Sequence, residues 1–192
     1  MTVIIPPQEK QQTAQLGMMI ALASWSMLFA TALFGYTVLR VQATHWYSFG
    51  AGDRPFIQAT ANTLILLLSS VFYKMAVRAV GGSRPEDVNR YLWGTLACGA
   101  VFGAMQFWLW QTLAGEGIRL ATSISASSIF AMTGLHAVHV LGAMAAVFWL
   151  ALRTRRRIIT TEEKTPLVLV GWFWHFLTII WCVFYTVIFV IH

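Results

Sequence analysis

The chain has 192 residues, 58% of them hydrophobic and only 10% charged, and its formal net charge of +6 comes from 13 lysines and arginines set against 7 acids. This composition excludes an ordinary soluble domain and describes a membrane protein with several spans. The basic residues gather in a few short segments, which suits orientation in a membrane and not a nucleic-acid surface.

Residues 1–15 are polar, carry the pair Pro6-Pro7 and lack the basic start of a secretory signal, and the apolar run that follows is too long for the core of a cleaved one. Residues 16–192 are therefore predicted to form an all-α bundle of five transmembrane helices with the first span retained. The spans fall at about 16–39, 56–80, 91–113, 124–152 and 167–191, each long enough for the roughly 20 apolar residues that cross a bilayer.

In the first span Ser24, Leu28, Thr31 and Gly35 recur at helical spacing and are predicted to form one face. Arg40 ends it, and a loop holding His45, Trp46, Asp53, Arg54 and Pro55 leads to the second span, whose stripe is Gln58, Asn62, Ser69 and Tyr73. The Asn62 amide at that depth needs a partner on another helix. Lys74 and Arg78 close the span, where long cationic side chains reach headgroups. Gly81, Gly82 and Pro85 make a turn, and Arg84, Glu86, Asp87 and Arg90 are expected to be solvated.

The third span places Gly99, Gly103, Gln106 and Trp110 on one face, and its Gly-x-x-x-Gly pair predicts close helix contact. A loop with Glu116 and Arg119 precedes the fourth span, which has no formal charge between Ile124 and Leu152. There Ser125, Ser128, Met132, His136, His139, Ala143 and Ala146 follow steps of three and four, a stripe predicted to face protein because polar groups turned to lipid are costly. Arg153, Arg155, Arg156 and Arg157 follow, then Glu162, Glu163, Lys164 and Pro166. The fifth span carries His175, Thr178, Cys182 and Tyr185 on one stripe.

Ten of the cations, Lys10, Lys74, Arg78, Arg84, Arg90, Arg153, Arg155, Arg156, Arg157 and Lys164, fall on one side of this topology, and Arg40, Arg54 and Arg119 on the other. The positive-inside rule then predicts a cytoplasmic N-terminus and cytoplasmic residues 153–166.

Three intramembrane histidines allow two readings. Imidazoles from facing helices can ligate haem iron, with His175 opposite His136 or His139. Alternatively each imidazole hydrogen-bonds within the bundle or to lipid. The second is preferred, because a di-haem arrangement repeats a histidine pair at two depths on two helices and this chain does not. No Asp or Glu falls inside a span, so a proton relay cannot be assembled from acids here. No phosphate-binding glycine loop, zinc motif or nucleophile elbow is present. Cys98 and Cys182 have no Cys-x-x-Cys spacing and read as packing residues. The aromatic run Trp172-Phe173-Trp174 could stack a quinone, but near the start of a span tryptophan more often serves as an interfacial anchor.

Thr-Gly-Leu-His-Ala-Val-His-Val at residues 133–140 resembles a signature of subunit III of haem-copper respiratory oxidases, and Phe-Trp-His-Phe-Leu-x-x-x-Trp at residues 173–181 resembles that family's last-helix signature. Asn62-Thr63, the Leu-Leu-Leu-Ser-Ser run at residues 66–70 and Gln106 add to the match, and five spans correspond to the family's short form. The sequence departs from the family at three acids, having Trp25, Leu109 and Thr178 in their places.

The resemblance implies an accessory subunit of a complex that reduces oxygen to water and pumps protons, in an integral, bacterial inner-membrane setting. Its partners would be the haem-copper catalytic subunit I, subunit II and further oxidase subunits, which would hold the haems and copper. No catalytic or metal-binding residue is expected in this chain, and no nucleic acid among its partners. Structural phospholipid is implied, with Arg153, His139 and Trp174 as candidate lipid-binding residues. Asn62, Gln106, Thr133, His136, His139, His175 and Thr178 are expected to pack helices. Two competing identities are a similar protein accompanying nitric-oxide reductase and a free-standing haem- or quinone-binding redox protein.

Overall fold

The computed structural model describes residues 7–43, 46, 49–50, 52–80, 86–119, 123–156 and 164–191. The expectations for His45, Gly81, Gly82, Arg84, Pro85, Arg157, Glu162 and Glu163 lie outside these described residues. The elements are α1 (Pro7–Gln42), α2 (Arg54–Ala79), α3 (Glu86–Gly115), α4 (Ile124–Arg156) and α5 (Thr165–Tyr185), the last running on as a π-helical turn over Thr186–Val190. All five are long and apolar enough to cross a membrane, and no strand occurs among the described residues.

Local chemistry sets the helix ends. Pro55 occupies the first turn of α2, where a missing N–H costs no helical bond, and the preceding Asp53 carboxylate accepts the Gly50 N–H at 2.6 Å. Glu86 and Asp87 lie in the first turn of α3, next to the positive end of its dipole. Ser123 caps α4, its Oγ accepting the Ala126 N–H at 3.1 Å. α1 starts at Pro7, so the helix reaches well into the polar segment assigned to residues 1–15.

The helices alternate in direction. At one end Asn89, early in α3, donates to Ala151 O and Thr154 Oγ1 late in α4, at 2.6 and 2.8 Å. At that same end Tyr73, late in α2, donates to Leu167 O early in α5 at 2.7 Å. At the opposite end Arg40, late in α1, donates to Val187 O and Ile191 O beyond α5, at 3.0 and 2.7 Å. Those carbonyls belong to a helix terminus and have no further turn to bond to, so the guanidinium supplies donors where α5 runs out.

α2 packs most extensively on α3 and also on α5, α4 lies against α3 and α5, and α1 is the outlying helix, touching α4 and α5. The Ser24–Thr31 face of α1 is not the face that packs. Ser24, Leu28 and Thr31 are exposed, and the two hydroxyls donate to their own preceding turn, Ser24 to Ile20 O at 3.0 Å and Thr31 to Met27 O at 2.8 Å. A hydroxyl satisfied in this way needs no neighbouring helix. The packed face is aromatic instead: Phe29 and Tyr36 are buried, and Trp25 packs alongside.

The Gly-x-x-x-Gly expectation holds at one of its two glycines. A Cβ at Gly99 would meet Trp174 Cη2 at 3.0 Å, whereas one at Gly103 would meet nothing within 4 Å. The tightest approach is one that no spacing rule indicated: a Cβ at Gly171 would lie 2.7 Å from Tyr73 Cε1. The Tyr73 ring cannot swing aside without giving up its bond to Leu167 O. Gly171→Ala is therefore expected to lower stability by about 1–3 kcal/mol through overpacking. Gly142→Ala, where the space is open, should be neutral or favourable by up to about 1 kcal/mol. Thermal dissociation of the two variants in detergent checks this; equal behaviour would contradict the packing assigned to Tyr73.

Candidate functional site

Polar side chains inside the bundle pair across helices in an ordered way. α2 and α5 are joined along most of their length. Thr60 Oγ1 and Tyr185 OH share a bond of 2.8 Å, Trp181 Nε1 donates to Thr63 Oγ1 at 3.0 Å, and Trp174 Nε1 donates to Ser69 Oγ at 3.1 Å. Ser70 Oγ lies 2.8 Å from Thr178 Oγ1 and 3.2 Å from His175 Nδ1. With Tyr73 at the far end, the seam runs from Thr60 to Tyr73 of α2, thirteen steps or about 20 Å at 1.5 Å per residue. In hydrocarbon, where water cannot replace a lost partner, such bonds fix which helices meet and in what register.

A second pairing joins α2 to α3: Asn62 Nδ2 donates to Gln106 Oε1 at 3.1 Å, with the two residues 1% and 3% exposed. A third joins α3 to α4, where Trp110 Nε1 donates to Thr133 Oγ1 at 3.1 Å. Of the residues expected to pack helices, Asn62, Gln106, Thr133, His175 and Thr178 thus sit at helix contacts with polar partners. The expected acid position after the Trp-His-Phe motif, Thr178, places a hydroxyl against Ser70 and also donates to Trp174 O at 3.0 Å.

The three histidines engage three different surroundings. His136 is 1% exposed and boxed by Phe29, Phe102, Trp181 and Phe184, with ring centroids 5.4–6.3 Å away. Neither of its ring nitrogens has a hydrogen-bond partner in the protein, which departs from the expected bond within the bundle. The sequence missed the reason, that its stripe turns into aromatic rings from α1, α3 and α5. His139 Nδ1 donates to Leu135 O of its own helix at 2.8 Å, and the ring meets Trp25 edge-on at 5.9 Å and Phe29 at 5.1 Å. His175 turns to α2 and the Ser70 hydroxyl. Trp25 itself stacks on Phe173 at 4.5 Å, so an indole fills the space between α1, α4 and α5 at this departure from the family. Leu109, the second departure, is buried.

Among the lipid candidates, Arg153 lies half-buried with its guanidinium 5.5 Å from the Trp149 ring, in cation–π geometry. His139 is half-buried. Trp174 is buried between helices and spends its N–H on Ser69, so its indole points into the bundle and not toward the rim. No group of three or more His, Cys, Asp or Glu among the described residues could hold a metal ion.

The fold and these seams describe a polytopic membrane subunit whose intramembrane polar groups serve helix contact. A family model for cytochrome c oxidase subunit III matches residues 8–192. The chain is 29% identical over 177 residues to the cytochrome c oxidase subunit 3 of Thermostichus vulcanus, covering 92% of this chain and 86% of that protein. It is 31% identical over 175 residues to the probable cytochrome c oxidase subunit 3 of Nocardia farcinica (strain IFM 10152), covering 91% and 86%. To the cytochrome bo(3) ubiquinol oxidase subunit 3 of Pseudomonas putida it is 29% identical over 186 residues, covering 94% and 86%. The chain belongs to the cytochrome c oxidase subunit III family, the accessory subunit of haem-copper terminal oxidases.

The Asn62–Gln106 pair generates a prediction. Asn62→Leu leaves a buried glutamine amide without its partner and should cost about 1–3 kcal/mol, whereas replacing both residues by leucine removes both demands and should recover most of that loss. Thermal unfolding of the two singles and the double variant checks it. A double variant that loses the sum of the singles would contradict the pairing.

Proposed function

We propose that this subunit sits beside the haem-copper catalytic subunit I and subunit II of a respiratory oxidase and sustains their turnover without performing a chemical step itself. The observation that carries this reading is the family match along residues 8–192, and the use of the intramembrane polar groups supports it. Asn62, Gln106, Thr178 and His175 are engaged with one another's helices, which is what a rigid scaffold requires. The haems and copper belong to the partner subunits, and oxygen reduction with proton pumping is the work of the assembled complex.

Orientation follows from charge. Lys74, Arg78, Arg90, Arg153, Arg155 and Lys164 share the bundle end at which α2 meets α3 and α4 meets α5, and the positive-inside rule makes that end cytoplasmic. In a bacterial inner membrane this rim would attract anionic lipid, at about 1 kcal/mol per basic residue near the surface. Arg153, already ordered over Trp149, is the residue best placed to hold a phospholipid headgroup. A basic rim beside the catalytic subunit would also favour acidic groups and counter-ions around its proton uptake, and the acids this chain can offer there include Glu86 and Asp87 in the first turn of α3.

The reading is tested on the purified oxidase with and without this subunit. Haem spectra and the initial rate of oxygen consumption are expected to be nearly unchanged, while activity decays several-fold faster over successive turnovers. Immediate loss of a haem signal or of all initial activity would overturn it, because the chain would then hold a cofactor or a catalytic group.

A further inference from the structure

The hydrogen bonds around Ser70 fix where the proton of His175 lies. Thr178 Oγ1 is 3.0 Å from Trp174 O, and a carbonyl only accepts, so the threonine spends its one proton there. Across the 2.8 Å contact between Ser70 and Thr178 the donor is therefore Ser70, whose single proton is spent in turn. His175 Nδ1, 3.2 Å from Ser70 Oγ, is left to donate. Three bonds and three protons allow this one direction, from imidazole to Ser70 to Thr178 to the carbonyl. A charged ring is costly in hydrocarbon, and a neutral imidazole protonated at Nδ1 presents Nε2 as a bare acceptor.

That Nε2 has no hydrogen-bond partner among the described residues, and unlike the nitrogens of His136 it is not sealed inside the bundle. His175 is half-buried on the outer side of the α2–α5 seam. Trp172 and Ile179, one turn to either side of it on α5, are exposed, as are Val71 and Lys74 of α2 next to its partner Ser70. Lys74 lies within electrostatic reach of the ring without bonding to it, and its ammonium is better solvated by reaching up to the headgroups. His175 stands ten residues below the start of α5 at Thr165, about 15 Å at 1.5 Å per residue, or half of a hydrocarbon core of about 30 Å. At that depth there is no bulk water, acyl chains carry no donor, and headgroup amines do not reach. What brings a donor there is another transmembrane helix, through a hydroxyl, an amide or an indole N–H that itself needs an acceptor in lipid.

We propose that the outer face of α2 and α5 around Val71, His175 and Ile179 seats a transmembrane helix of a neighbouring oxidase subunit, which donates a hydrogen bond to His175 Nε2. The exposed Val71, Trp172 and Ile179 supply the apolar contact on either side of that bond. The inference rests on the reading that this chain assembles beside other membrane subunits, and it names the face and the atom that hold it there.

The experiment is photocross-linking in the intact oxidase, in its own membrane, from Val71→benzoylphenylalanine and Ile179→benzoylphenylalanine variants of this chain. After purification, mass spectrometry is expected to find each joined to an apolar span of a different oxidase subunit. His175→Phe keeps a ring and removes the acceptor, and the subunit should then be lost from the oxidase in detergent about tenfold more readily, the effect of one hydrogen bond. His175→Gln, whose amide oxygen can stand near the place of Nε2, should retain most of the natural affinity. Ile179→Trp enlarges an exposed side chain without touching the seam, and it should also loosen the subunit where His175→Phe disturbs the bundle itself. Adducts confined to lipid or another small molecule, or to a second copy of this chain, would overturn the proposal. So would equal retention of the two variants at position 175, or undiminished retention of Ile179→Trp. An oxidase that depends on the subunit for endurance while both positions mark lipid alone would refute this inference and leave the accessory role standing; a chain that joins no other subunit would remove both.

Discussion

A hydroxyl at membrane depth must find its partner within the protein, and Ser69 and Ser70 of α2 find theirs on α5. Ser69 Oγ takes the Trp174 N–H, and Ser70 Oγ meets both Thr178 and His175. Three consecutive contact positions of α5 are thereby referred to two adjacent residues of α2. Because each of these bonds has a single geometry, a shift of one turn between the two helices would strand all of them together, in a medium where none can be replaced by water. The remaining pairings depend on that alignment: Trp181 reaches Thr63 and Tyr185 reaches Thr60 only when the serines are in register. α3 is then held by the Asn62–Gln106 pair, and α4 is held to α3 by Thr133 and by Asn89.

Function and fold draw on the same residues. An accessory subunit has no reaction to carry out, and here the polar groups that would mark an ion path in another membrane protein are largely spent on helix contact. Trp25 and Leu109, where the resemblance led to an expectation of acids, are groups that pack, one stacked on Phe173 and one buried. What remains unspent is informative for the same reason. Among the described residues Gln58 Oε1, Asn62 Oδ1, Gln106 Nε2 and both nitrogens of His136 stand outside the pairing pattern. His136 is enclosed by rings from three other helices, while Gln106 borders a groove that opens toward the bilayer.

The five spans were legible because each is an apolar run longer than a bilayer needs and is bounded by charge. The α4 stripe was legible too, from Ser125 to Ala146: Ser125, Met132, His136 and Ala143 are buried and Ser128, His139 and Ala146 half-buried. Family identity was readable from residues 133–140 and 173–181. Which face of α1 packs was not legible, because Ser24 and Thr31 satisfy themselves on the preceding turn and leave the packed face to Phe29 and Tyr36. Gly171 escaped notice because a lone glycine has no period, and only the placement of Tyr73 gives it meaning. Periodicity also cannot say which stripes meet, so the placement of Trp174 inside the bundle and the aromatic box around His136 waited on three-dimensional structure.

The serine contacts lock α2 and α5 to each other, while α1 attaches independently through its aromatic face and Arg40. Hydrogen–deuterium exchange of the purified oxidase in lipid discs, comparing the natural chain with a Ser69→Ala, Ser70→Ala variant, tests this most directly. Amides of α2 and α5 around residues 66–73 and 171–181 should lose protection together while α1 is unchanged. Loss confined to α1, or loss in α5 with α2 still protected, would contradict the account.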